Sequence, residues 1–127
     1  MTLSSSQQAQ VPASHEAERA LLSCCLLRST VVQDVLPIVG ASPEAFMLND
    51  HQSVWEAIVA LNADGVPTDL VMVSEWLHKH GMDVSAVYLS ELSGVSPTSM
   101  NAPHYAREVH ETHLKRDLYK LSKAIEH

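Results

Sequence analysis

FMLNDHQSVWEAIVALNADGVPTDLVMVSEWL, residues 46–77, is the stretch whose reading decides the fold. Asn49 followed three positions later by Gln52 matches the capping-box pattern, in which side chains satisfy the free N–H groups at a helix start. Val54, Ala57, Ile58 and Leu61 then recur at helical spacing, so one face is apolar. Gly65 can close that helix in a left-handed conformation, and Pro67 prevents its continuation. Asp69 can cap a second helix running through Val73, Trp76 and Leu77 to a stop at Gly81. Two helices joined by a tight turn are expected, with Phe46 as the plug at their base.

Working outward, the pattern stays helical. Residues 1–13 are rich in Ser and Gln and are expected to be a disordered N-terminal tail. Ser14 can cap a first helix, with Glu16 and Glu18 in the turn where the helix dipole favours negative charge. Ala17, Ala20, Leu21, Cys24 and Cys25 form its apolar face. A second helix is expected from about Thr30, ending or kinking at Pro37. Ser42-Pro43 opens a short helical turn, with proline at its favoured first position.

After Gly81, Ser85 can cap a helix carrying Val87, Tyr88, Leu89 and Leu92, stopped by Gly94. A loop containing Pro97 leads to Asn101, which can cap the last helix, with Tyr105 one turn in. Leu114, Leu118, Leu121 and Ile125 follow at spacings of 4, 3 and 4, a heptad-like stripe with no stop signal after it. No segment alternates apolar and polar residues over more than a few positions. The expected fold is all-α, a compact bundle of about six helices.

Composition fits a single domain of 127 residues. Apolar residues make up 46%, enough for a core, but aromatic residues only 5%, so that core must be aliphatic. No apolar run approaches the roughly 18 residues that span a bilayer, and no secretory signal is expected. The adjacent Cys24 and Cys25 are badly placed to bond each other and read as small apolar residues in a reducing compartment, which gives a cytoplasmic expectation. The net charge of −7 argues against simple electrostatic capture of nucleic acid. The charge is uneven, however: Arg107, Lys115, Arg116, Lys120 and Lys123 gather on the last helix. They form a solvated strip or a contact surface.

Catalytic chemistry is not signalled. None of the glycines (Gly40, Gly65, Gly81, Gly94) is followed by lysine, so there is no P-loop. His110-Glu111-Thr112-His113 is one residue short of the zincin spacing, and no third ligand is indicated. The serines lie in caps and tails. No catalytic, cofactor-binding or metal-binding residue is assigned.

The order of several motifs resembles the N-terminal domain of DnaB-type replicative DNA helicases, over roughly Val11 to Leu118. The motifs are VPASHEAERALL, then Phe46 with His51 five residues on, then W-E-A-I-x-x-L and G-V-P-T-D-L-V-x-V. They are followed by Tyr88-Leu89-Ser90-Glu91-Leu92 and S-P-T-S-M-N-A-P-H-Y-A-R-E-V. Cys24-Cys25 stands where the family usually has a glycine pair, and the loop before Tyr88 is shorter than usual.

The resemblance implies a helical head over residues 14–112 and the start of a C-terminal helical hairpin over residues 113–127, with no motor domain. The head would serve oligomerisation and recruitment of primase and loader. ATP, Mg and 5′–3′ unwinding would belong to the hexameric parent, which alone would meet DNA. Alternative readings are the helicase-binding domain of a primase, or a standalone mimic of the head. Phe46, His51, Trp55, Ile58, Leu61, Asp69, Tyr88, Leu92, Asn101 and Tyr105 are expected to fix the geometry of the head. Leu114, Arg116, Leu118, Leu121 and Ile125 are the candidate surface for self-association or a partner.

Overall fold

Ser14 begins the first helix as its sequence suggests, its Oγ accepting from the Ala17 N–H at 3.3 Å. The computed structural model describes residues 14–96 and 98–125. In chain order they form α1 (His15–Leu27), α2 (Val31–Val39), a 3-10 turn (Pro43–Ala45), α3 (Asn49–Ala63), α4 (Leu70–Lys79), α5 (Ala86–Ser93) and α6 (Ala102–Ile125). No strand occurs among the described residues, so the fold is all-α, with six helices. The expected tail over residues 1–13 and the loop residue Pro97 lie outside the described residues.

Local signals set most element ends. Asp69 accepts from the Met72 N–H at 2.9 Å, and Ser85 from the Tyr88 N–H at 3.0 Å. Gly65 and Gly81 take positive φ of 70° and 66°. Each ends its helix in the same way. Val66 N–H bonds the Leu61 carbonyl and Gly65 N–H that of Asn62, while Met82 and Gly81 repeat the pattern on Leu77 and His78. These paired bonds satisfy carbonyls that a helix end otherwise leaves open, and the left-handed residue they require is glycine.

Three local expectations are corrected. Asn49 is the first helical residue of α3, and Leu48 occupies the cap position with no side-chain bond. Gln52 does not reach back to a cap. Its Nε2 donates instead to the Phe46 carbonyl at 2.8 Å, because that buried carbonyl needs a partner. In α2 the helix runs two residues past Pro37 to Val39 before Gly40 turns the chain at φ 90°. The proline removes one N–H yet does not end the helix, since Gly40 N–H still bonds the Leu36 carbonyl at 2.8 Å.

Packing follows from the apolar faces. α1 is the central helix, touching α3, α5 and α6, while α2 lies against α3 and α6. The core is aliphatic, built from Leu21, Leu22, Val32, Val35, Ile58, Leu77, Leu89 and Leu92, all essentially inaccessible. Phe46 and Trp55 are its large members, with ring centroids 5.3 Å apart and planes tilted by 42°. The indole N–H of Trp55 donates to the Gly40 carbonyl at 3.0 Å, which fixes the end of α2 onto α3. At the other end of the α3–α4 hairpin, the Thr68 hydroxyl donates to the Cys25 carbonyl and the Thr68 N–H to Ser29 Oγ, both at 2.8 Å. The hairpin is therefore tied to the end of α2 through Trp55 and to α1 at its turn.

Candidate interaction surfaces

The residues expected to fix the head divide clearly in space. Phe46, His51, Trp55, Ile58, Leu61 and Leu92 are buried. Tyr88 and Tyr105 are half-buried against the core, and Asp69 is a surface cap. Asn101 is exposed just before α6, where its carbonyl accepts from the His104 and Tyr105 N–H groups.

His51 is the centre of a buried polar chain joining three helices. Its Nδ1 lies 2.7 Å from Glu18 Oε1 on α1, and its Nε2 lies 2.5 Å from the Tyr88 hydroxyl on α5. Both Glu18 and His51 have no solvent exposure. The second carboxylate oxygen of Glu18 accepts from the Met47 N–H at 2.8 Å, just ahead of α3. With Nδ1–H donating to Glu18, Nε2 is left to accept from the Tyr88 O–H, and every polar atom of the set is satisfied. That completeness is what makes a buried polar set tolerable. Burial pushes the Tyr88 phenol above its ordinary value, and Arg19 partly offsets this. The sequence reading assigned Glu18 only a dipole role. Its position in VPASHEAE, within the α1 apolar face, was the signal that it points inward.

The α6 stripe behaves differently. Leu114, Leu118, Leu121 and Ile125 are 48%, 65%, 57% and 74% exposed. Four aliphatic side chains at spacings of 4, 3 and 4 share one helix face, and among the described residues that face is left largely open to solvent. Arg116 is the correction to this set. It was grouped with the exposed surface, but only 3% of it is accessible, and its guanidinium donates to the Glu44 and Ala45 carbonyls at 3.2 and 2.8 Å. The 3-10 turn ends with open carbonyls beside α6, and a long forked cation is the group that reaches them. α6 itself is continuous through residues 112 and 113, so the head and the expected hairpin start share one helix.

Other candidates for chemistry find no partner set. Among the described residues no three His, Cys, Asp or Glu side chains converge as a metal site. His113 faces Asp117 at 3.6 Å, and the buried His110 Nδ1 finds no hydrogen-bond partner among the described residues. His80 stacks on Trp76 with centroids 3.8 Å apart and bonds its carbonyl at 2.8 Å, at the end of α4. Cys24 and Cys25 are free and buried, and burial raises both thiols above their ordinary range. Among the described residues, no helix is long and apolar enough to cross a membrane.

Comparison with known proteins places these features. The profile of the DnaB-like helicase N terminal domain matches residues 10–111. The chain is 36% identical over 124 residues to a replicative DNA helicase DnaB of Geobacillus stearothermophilus, covering 90% of this chain and 25% of that protein. It is 35% identical over 113 residues to the replicative DNA helicase DnaB of Leifsonia xyli, covering 86% of this chain and 24% of that one. The chain thus spans about a quarter of the length of these curated relatives. Among solved structures, the N-terminal domain of DnaB helicase from Mycobacterium tuberculosis superimposes with a TM-score of 0.85 at 34% identity. That match covers 91% of this chain and 85% of that one.

Proposed function

This chain belongs to the family of DnaB-like helicase N-terminal domains, and from that premise we propose that it acts as the non-catalytic head of a hexameric replicative helicase. In this reading its work is assembly and recruitment. Residues 14–112 form the head, and residues 113–127 begin a hairpin through which copies associate. Primase and the helicase loader are the partners it recruits. ATP hydrolysis, Mg and strand separation belong to the parent's motor, and DNA is met only through the whole assembly.

The observation that carries this reading is the exposed α6 stripe beside a closed core. The buried groups hold the geometry of the head, and Leu114, Leu118, Leu121 and Ile125 put four exposed aliphatic side chains on one helix face. Sedimentation over a concentration series tests it. Self-association that Leu118→Glu abolishes is the expected result, and a strict monomer at high concentration overturns it.

A further inference from the structure

The chain between α2 and α3 is held by two buried charged side chains that lie far apart in the sequence. From one side the Arg116 guanidinium donates to the Glu44 and Ala45 carbonyls at 3.2 and 2.8 Å. From the other, a Glu18 carboxylate oxygen accepts from the Met47 N–H at 2.8 Å. A cation thus grips carbonyls and an anion grips an amide, each the charge that its backbone group favours. Between the grips sits Phe46, buried against Trp55. One residue separates Ala45 from Met47, which is too little chain for one grip to open while the other stays closed. Opening either grip leaves backbone groups without their partners, so the segment has a closed arrangement and an open one with little between them.

The two grips lead to different faces of the molecule. Arg116 stands where α6 leaves the head, and no later described residue of that helix is buried. Glu18 continues through its other oxygen to His51, and His51 to the Tyr88 hydroxyl. Tyr88 lines an open hollow of about 310 Å³ together with Leu48, Asn49 and Asp50, the residues that directly follow the gripped segment. We propose that residues 44–47 are a strap that couples these two faces. Arg116 is its positioning residue: its hold keeps Glu18 and His51 in place, and with them the shape of the Tyr88 hollow. The coupling does not depend on what α6 associates with, and it runs both ways, because a free energy shared by two sites is reciprocal.

Residue-resolved hydrogen exchange on the full chain tests this. Arg116→Met keeps much of the side chain's apolar stem and removes its donors. It should speed exchange of the Met47 N–H by about tenfold relative to amides in the middle of α1 and α3, whose exchange reports global opening. The His51 ring N–H held by Glu18 should speed up by a similar factor. Arg116→Lys keeps a charged donor and should bring both back to within about threefold of the unchanged protein. Where Arg116→Met does not fold, the milder Arg116→Gln gives the same comparison. Val109→Ala is the control: it trims another buried side chain of α6 but removes no hydrogen bond, so it should speed Met47 and the helix amides together. The proposal is overturned if Met47 keeps its protection without the Arg116 donors, or if Val109→Ala exposes Met47 as selectively. Faster exchange at Met47 with none at His51 also overturns it, since the strap then opens without reaching the Tyr88 hollow.

Discussion

Two helices of this molecule carry the same written pattern and meet opposite fates. In α3, Val54, Ala57, Ile58 and Leu61 repeat at helical spacing and are buried. In α6, Leu114, Leu118, Leu121 and Ile125 repeat as regularly and are all exposed. Periodicity fixes that a face exists, because it depends only on the turn of the helix. What covers the face depends on the elements that converge on it. α3 has α1, α2, α4 and the 3-10 turn around it, whereas α6 packs on α1, α2 and the 3-10 turn through Ala106, Val109 and Arg116 and then continues past them.

The comparison breaks first if the buried side is not the centre. Phe46→Ala should cost about 3–5 kcal/mol of stability in chemical denaturation, as deletion of a buried ring against Trp55 leaves a cavity. Stability like that of the unchanged protein would mean the core lies elsewhere. Glu18→Ala should follow at about 3 kcal/mol, since it strands the His51 Nδ1–H and the Met47 N–H in the interior. Recovery of stability in a double Glu18→Leu, His51→Leu variant would show that the cost was the orphaned partner.

Smaller effects sharpen the comparison. Tyr88→Phe should lose about 1 kcal/mol, one hydrogen bond at the rim of the network. Burial raises the Tyr88 phenol and the Cys24 and Cys25 thiols in the folded state. Their contribution is therefore complete below the unfolded values and is lost as pH rises. A melting series should fall from about pH 9 upward, and Cys25→Ala should flatten its first part. The smallest effect belongs to α6: Leu118→Ala should change stability by no more than about 0.5 kcal/mol, while weakening association. A large loss of stability there would mean that the stripe is part of the core after all.

These residues also show what can be read from a sequence. Ser14, Asp69, Ser85, Gly65 and Gly81 act within four or five positions of themselves, and each was legible as a cap or a stop. Phe46 was legible because an aliphatic chain has few places for a ring. Asn49 was misplaced by one position because a cap residue and the first helical residue differ only in backbone angles. Glu18 and Arg116 were misread for one shared reason. Each is a charged residue whose partners lie far away in the chain, Glu18 with His51 and Arg116 with the carbonyls after Pro43. Local charge statistics send such residues to the surface, and only tertiary packing brings them in. The exposed stripe was legible as a stripe, while its partner is not written in these residues.

The length of α6 has a mechanical consequence. Its 24 residues make a rod of about 36 Å at 1.5 Å per residue. Past Pro103 it contains no glycine or proline that could act as a joint. Arg116 fastens the rod to the rest of the molecule, and the last nine residues beyond it extend about 13 Å. Whatever grips Leu118, Leu121 and Ile125 thus holds a lever, not a tether. A rotation applied at its tip would therefore act on the 3-10 turn that Arg116 binds.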